Sequence, residues 1–307
     1  MNKVFVNACA AKEGGALRII DDFLFNCDVN SFYYIVSPHC PNHLPLNGKW
    51  IKLKSSHFFT MVYTLFFSYF HAFFYGANEI YSFNNYNSIF SFSMNRKTYF
   101  HNLLILKGNG VKYKVIRFVL KYLNQKKCHY FFQTHYVKDV FLSFYGNVES
   151  YSVVKPNVLV DYKYCDFFTD LSKYTETINL VVPITDVALS HKNIELIYEC
   201  ASKCLNLGIK FFITADGVDF GNVFFIGKKC KDEFLHVIKS SDGVVVSSTF
   251  ETFCLPIFEA LALGVPAYVY DQPYVVGIDY YLLGVEGYFK FYDSDSFVEQ
   301  YFNKNIF

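Results

Sequence analysis

Apolar runs along this chain follow the pattern of an α/β protein made of two parallel-sheet domains. Short runs of Val, Ile, Phe and Tyr, set off by turn residues, alternate with segments of helical periodicity from one end to the other. Runs such as Val244–Val246 are apolar throughout rather than at every second residue, as expected of strands covered on both faces. The chain has 307 residues, enough for two domains of ordinary size, and the stretch from Asn157 to Thr177 is polar and aperiodic. The expected division is a first domain over 1–157, a linker over 158–177 and a second domain over 178–307.

Val4–Ala8 is the first strand, its apolar run being too short for a signal peptide. It leads through Ala11-Lys12-Glu13-Gly14-Gly15-Ala16 into an amphipathic helix over Ala16–Phe25. Strand, glycines and helix in that order turn backbone N–H groups toward an anion or a sugar, with a flexible turn as the alternative. The GxGxxG spacing of dinucleotide sites is absent, which argues against a nicotinamide or flavin. Phe32–Val36 and Trp50–Leu53 follow as strands.

His57–Gly76 is the most hydrophobic segment and carries no charge. Its length is borderline for a membrane span. Thr60, Thr64, Ser68 and His71 recur at helical spacing, so the segment is expected to be a core or cleft-facing helix. A surface that touches lipid is the alternative, helped by Lys49, Lys52 and Lys54 just upstream. Glu79–Phe83 and Thr98–His101 read as strands, Val111–Asn124 as a basic helix with a solvated face, and His129–Gln133 as a strand. Thr134 is placed to cap the next helix, and Ser152–Pro156 closes the first half.

Ile178–Val182 opens the second half, and His191-Lys192-Asn193 heads a helix to about Asn206. A lysine at a helix N-terminus is disfavoured by the dipole, so Lys192 calls for an anion nearby or points into water. Strands at Lys210–Thr214 and Val223–Ile226 and a helix at Lys231–Lys239 lead to Gly243–Asp271. That stretch reads as buried strand, loop, short helix and second buried strand. Pro256 suits the first turn of the helix, and Gly264 with Pro266 stops it. Glu259 is expected in the helix's first turn and Glu251 in the loop before it. Two carboxylates and free backbone N–H groups thus stand at the C-terminal edge of a parallel sheet, where ligands of such sheets bind. Phe289–Phe291 and Ser294–Asn303 are the last strand and helix, with Asp293-Ser294-Asp295 capping the latter.

The run from Glu251 through Thr252-Phe253-Cys254-Leu255-Pro256 to Glu259 resembles the Glu-x7-Glu motif of the family-4 nucleotide-sugar glycosyltransferases. Ser248, Thr249, Ala260, Gly264 and Pro266 fit the same pattern. Cys254 departs from it, standing where the family has Gly, and Val182–Ser190 lacks the Arg common in relatives. The resemblance implies a GT-B fold of two Rossmann-like domains with sheets facing across a cleft. It also implies transfer, with retention, from a nucleotide-diphosphate sugar to a saccharide or lipid-linked saccharide of a surface polysaccharide.

Under that resemblance Glu251 contacts the transferred sugar, and His101, in Phe100-His101-Asn102, faces it. Glu259 takes the nucleotide ribose, and Lys192 the diphosphate. The backbone of Phe253, Cys254 and Leu255 contacts the donor, and Gly14 and Gly15 line the cleft. Neither a cofactor nor a metal is expected. A catalytically weak GT-B partner protein and a sugar-nucleotide epimerase are the alternative readings.

Nine scattered cysteines without CxxC or paired Cys/His spacing suggest reduced thiols and a cytoplasmic location, including peripheral placement on the inner membrane face. A net charge of +1 gives no indication of a general nucleic-acid surface.

Overall fold

A computed structural model of the chain describes residues 1–11, 15–54, 56–90, 92–157 and 176–305. The chain forms two compact units, Met1–Asn157 and Val158–Phe307. The expected linker falls almost wholly outside the described residues.

The first unit holds seven parallel strands: β1 (Lys3–Asn7), β2 (Phe32–Ser37), β3 (Gly48–Lys52), β4 (Glu79–Ser82), β5 (Asn95–Phe100), β6 (His129–Phe132) and β7 (Ser150–Val153). Their order across the sheet is β3-β2-β1-β4-β5-β6-β7, so the winding reverses between β1 and β4. Alternate residues of a strand face opposite sides, and both sides are covered. In β1, Val4 and Val6 join one core with Ile19, Ile20 and Leu24 of α1 (Gly15–Phe25), while Phe5 joins another with Tyr63, Tyr69 and Ala72. That is why the strand reads as a continuous apolar run.

The uncharged segment is helical over His57–Phe74, as α2 (His57–Val62), a π-helical turn (Tyr63–Phe67) and α3 (Ser68–Phe74). Its orientation differs from that of an ordinary amphipathic helix: the polar stripe faces inward. The Thr64 hydroxyl accepts from Asn7 Nδ2 at 3.1 Å and from Asn84 Nδ2 at 2.8 Å, and Ser68 donates back to the Thr64 carbonyl at 2.7 Å. Tyr63 and His71 pair at 2.6 Å. Buried hydroxyls and amides need such partners, and β1 and the β4 loop supply them. The opposite side of the helix is phenylalanine in contact with solvent. Among the described residues no helix is long and apolar enough to cross a membrane.

Two further helices cover the same unit, α5 (Val111–Tyr122) and α6 (His135–Tyr145), after a single turn, α4 (Leu104–Lys107). Thr134 caps α6 as expected, its hydroxyl accepting from Val137 N at 3.1 Å.

The second unit has six parallel strands: β8 (Ile178–Val182), β9 (Ile209–Ile213), β10 (Val223–Phe225), β11 (Gly243–Val246), β12 (Ala267–Tyr270) and β13 (Tyr288–Phe291). They lie in the order β10-β9-β8-β11-β12-β13, with the reversal between β8 and β11. The helices are α7 (Ile194–Lys203), α8 (Lys231–Lys239), α9 (Leu255–Ala262), α10 (Val275–Leu282) and α11 (Ser294–Asn305). Asp293 caps α11, its carboxylate accepting from Ser296 N at 2.8 Å. Helix α10 has no counterpart in the sequence reading. Two valines and Gly277 in its first turn give weak helix propensity, and burial of Val275, Ile278 and Leu282 on one face decides instead. Each unit is a Rossmann-like sheet with helices, and the pair of units has the GT-B fold.

Candidate active site

At the reversal between β8 and β11, two loops are laced together. The Ser247 hydroxyl donates to the Lys192 carbonyl at 2.7 Å, and Thr249 N donates to the His191 carbonyl at 2.8 Å. Ser247 and Thr249 therefore hold the His191-Lys192 turn over the C-terminal end of β11. Lys192 is not on α7, as the sequence suggested, but in a single 3₁₀ turn over Ser190–Lys192. Asn193 separates the two in the left-handed conformation, at φ 50° and ψ 57°, which asparagine tolerates.

This turn brings the Lys192 ammonium to 2.5 Å from Glu251 Oε1, each side chain being about one-fifth exposed. Burial alone would lower the Lys192 pKa. The Glu251 charge and hydrogen bond outweigh it, so the ammonium is held above the usual lysine value. Beside it, burial and then the Lys192 charge lower the His191 pKa, with Glu251 opposing.

The loop from Glu251 runs into α9 through a strained residue. Cys254 caps the helix at φ 52° and ψ 68°, a region that costs a residue with a Cβ roughly 1–2 kcal/mol. A glycine would stand there without cost. Phe253 and Phe258 stack at 4.2 Å between ring centroids, 4° from parallel, and clamp the helix start as a hydrophobic staple. The Phe253 ring is thus core, and any ligand contact from Phe253 is through its backbone. Leu255 is the first helical residue. Burial drives the Cys254 thiol far above its ordinary range, with Glu251 adding and Lys192 opposing, so it stays protonated. Glu259 corrects the sequence reading: with α9 beginning at Leu255 it starts the second turn, buried within the helix packing rather than in the first turn.

Tyr274 escaped the sequence reading. It lies just after β12, is 1% exposed, and its hydroxyl has no hydrogen-bond partner among the described residues. Burial raises its pKa well above the ordinary value. Its one sequence signal is position, four residues beyond the end of a central parallel strand.

The remaining expected residues belong to the first unit. Gly15 begins α1, and His101 follows the last residue of β5, both at the C-terminal edge of that sheet. Gly14 lies outside the described residues. The backbone N–H of His101 donates to Asn85 Oδ1 at 2.8 Å, Asn85 itself being left-handed at φ 69°. Burial pushes the His101 imidazole down to about 4, so it is neutral near pH 7. Among the described residues no group of three or more His, Cys, Asp or Glu is arranged to hold a metal ion, and eight cysteines are free thiols.

Two Rossmann-like units of this kind make up the GT-B fold, here with a cation and a carboxylate at the winding reversal of the second sheet. Residues 220–279, from β10 into α10, match the family model of the glycosyl transferases group 1. Solved structures agree in fold over nearly the whole chain. WaaG, a glycosyltransferase involved in lipopolysaccharide biosynthesis, is 14% identical with a TM-score of 0.66, covering 94% of this chain and 85% of its own. HepE of Anabaena, in complex with UDP and glucose, is 13% identical with a TM-score of 0.70, covering 98% and 88%. A glycosyltransferase from Rickettsia africae is 13% identical with a TM-score of 0.67, covering 98% and 87%. A search of curated proteins found no significant match.

Proposed function

We propose that this chain is a retaining family-4 glycosyltransferase moving a sugar from a nucleotide-diphosphate donor to a saccharide or lipid-linked saccharide acceptor of a surface polysaccharide. The observation that carries the reading is the Lys192–Glu251 pair at the β8/β11 reversal, with Glu251 inside the stretch matched by the group 1 model. A departing diphosphate needs positive charge and N–H donors, while the acceptor hydroxyl is held close. Lys192 and the backbone amides leading into α9, from Phe253 to Leu255, are the groups suited to the diphosphate. Glu251 would hold the transferred sugar and Glu259 the ribose, and the Tyr274 hydroxyl would gain a partner in the donor. His101, Gly14 and Gly15 would serve from the first unit, and the enzyme would work at the cytoplasmic face of the membrane.

Two features support the idea. HepE was solved with UDP and glucose, and WaaG is described as acting in lipopolysaccharide biosynthesis. Cys254 favours a second reading, a catalytically weak partner, because its side chain occupies a position where glycine lets backbone approach a phosphate.

A thermal-shift screen against UDP-, GDP- and dTDP-sugars tests the donor. A ligand at a hundred times its dissociation constant stabilises by about 2.7 kcal/mol. Glu259→Gln should weaken donor binding, and Glu251→Ala should abolish turnover with the fold intact. Both variants transferring sugar like wild type would end the assignment, and nucleotide binding without transfer by wild type would favour the weak partner. Free epimerised donor without acceptor would favour an epimerase.

A further inference from the structure

Helix 57–74 and α5 lie on one face of the first sheet. Ile80 of β4 packs in the core with Tyr63, Tyr69 and Ala72, and its register partner in β5, Arg96, points to the same side. The Arg96 guanidinium reaches the Asn124 carbonyl at the end of α5, at 3.0 Å. Ile89 ties the two helices directly: its N–H donates to the Leu65 carbonyl and its carbonyl accepts from Asn124 Nδ2, each at 3.0 Å.

Both helices turn apolar side chains to solvent. On the first, Phe58 is 72% exposed, Phe73 64% and Phe74 82%, with Phe67 and Phe70 also exposed. On α5, Val111, Val115, Phe118 and Tyr122 are exposed at i, i+4, i+7 and i+11, a stripe of helical period facing away from the core. Exposed Lys112, Lys114 and Lys121 flank that stripe. So many exposed apolar side chains on two helices of one sheet face mark an interaction site.

Charge identifies the partner. Residues 49–138 contain 13 Lys and Arg against one acid, Glu79, and Lys97 pairs with that acid at 3.0 Å. The first unit as a whole carries 17 Lys and Arg and 7 Asp and Glu, net +10, whereas the second is net −9. Yet no Asp, Glu, Lys or Arg lies between Lys54 and Glu79. A nucleic acid would be met by charge throughout; an uncharged phenylalanine face beside a basic one matches acyl chains beneath anionic headgroups. A second copy across a two-fold axis would set the same lysines against each other.

We infer that the exposed faces of helix 57–74 and α5 form one docking surface for a bilayer with anionic headgroups. The phenylalanines enter the acyl boundary and the α5 lysines meet the headgroups. This holds independently of the donor reading, because it rests on the first unit alone.

The test is co-sedimentation of the full chain with phosphatidylcholine vesicles, with and without phosphatidylglycerol. Wild type should pellet with the anionic vesicles and be released as salt rises. Each lysine near such a surface contributes roughly a fivefold factor, so Lys112→Gln/Lys114→Gln/Lys121→Gln should lower the partition coefficient about a hundredfold. Phe70→Ser/Phe73→Ser/Phe74→Ser should abolish residual binding to neutral vesicles and leave only a salt-sensitive component on anionic ones. Circular dichroism checks folding, and the lysine variant decides alone if the phenylalanine variant does not fold.

Wild type remaining in the supernatant, or a lysine variant binding like wild type, overturns the inference. So does tighter binding to DNA than to vesicles at equal salt, or a dimer that the phenylalanine variant splits. Nucleotide-sugar thermal shifts on the same variants report the second unit separately, so loss of vesicle binding with donor binding kept distinguishes the two readings.

Discussion

Glu251 holds the Lys192 ammonium in the free protein, so at the proposed donor site a diphosphate would take the ammonium from the carboxylate. The consequence can be measured with UDP, which has the diphosphate but no sugar for Glu251 to hold. At an effective dielectric of about 20, two unit charges about 4 Å apart attract by about 4 kcal/mol, and this pair is closer. Desolvation and the one-fifth exposure of both side chains leave a net coupling of about 1–2 kcal/mol. Glu251→Gln should therefore tighten UDP about tenfold while leaving uridine, which has no phosphate, unchanged. Lys192→Met should weaken UDP by at least as much. In the double variant the gain should vanish, because Glu251 acts on UDP only through Lys192.

Isothermal titration calorimetry of the four proteins with UDP and uridine closes the cycle. Glu251→Gln weakening UDP, or its effect persisting without Lys192, would refute the competition. The pH dependence follows from the direction of the shift. The Lys192 pKa is raised above 10.5, so the pair's stabilisation is fully present below that value and is lost as pH rises through the folded pKa. Between pH 6 and 9 the cycle should therefore be flat in its Lys192 contribution.

Three further outcomes are expected. Cys254→Gly relieves roughly 1–2 kcal/mol of left-handed strain but loses a buried side chain and adds unfolded-state freedom, so stability by urea melting should change by less than about 1 kcal/mol. UDP should bind more tightly to that variant, since the backbone opens at the start of α9. Tyr274→Phe removes a buried hydroxyl without a partner among the described residues, so the melting temperature should rise while donor affinity falls; a rise in both would remove Tyr274 from the site. For His101, burial depresses the pKa from 6.5 to about 4, so its neutral form contributes stability that is full above pH 6.5 and lost as pH falls toward 4. His101→Gln should flatten the stability profile in that window, and an unchanged acid limb would refute the assignment.

Much of the architecture was legible because parallel strands buried on both faces leave continuous apolar runs. Each described strand from β1 to β13 has a counterpart in the sequence reading, within about three residues at each end, and most of them are such runs. Lys192 was harder to place: the helical pattern of Ile194–Lys203 extends backward through His191, and only the left-handed Asn193 breaks it. Asparagine in that conformation leaves no periodic trace. Helix α10 was hidden for another reason, since two valines and a glycine speak for strand or turn until packing is known. The partnership of Lys192 with Glu251 joins residues 59 apart in sequence and depends on the Ser247 and Thr249 bonds to the opposite loop. No local pattern encodes that.

The polarity of helix 57–74 shows where periodicity runs out. Thr60, Thr64, Ser68 and His71 fix one face as polar, but period alone does not say whether that face meets water or protein. Buried Asn7 and Asn84 decide it, because their side-chain N–H groups need acceptors and Thr64 provides one. Once the hydroxyls turn inward, the phenylalanines have nowhere to go but out. The total charge of +1 hid a second division, since +10 and −9 cancel in the sum. A unit of net −9 disfavours a nucleotide diphosphate at long range, but at physiological salt charges beyond roughly 8 Å are screened. Recognition there must come from groups in direct contact, which is why one lysine in a laced turn and a few helix-start amides carry the proposed donor site. The first unit's positive charge, spread over many exposed lysines, is useful only against an extended anion. A bilayer presents that over the whole area of two helices, and a small nucleotide does not.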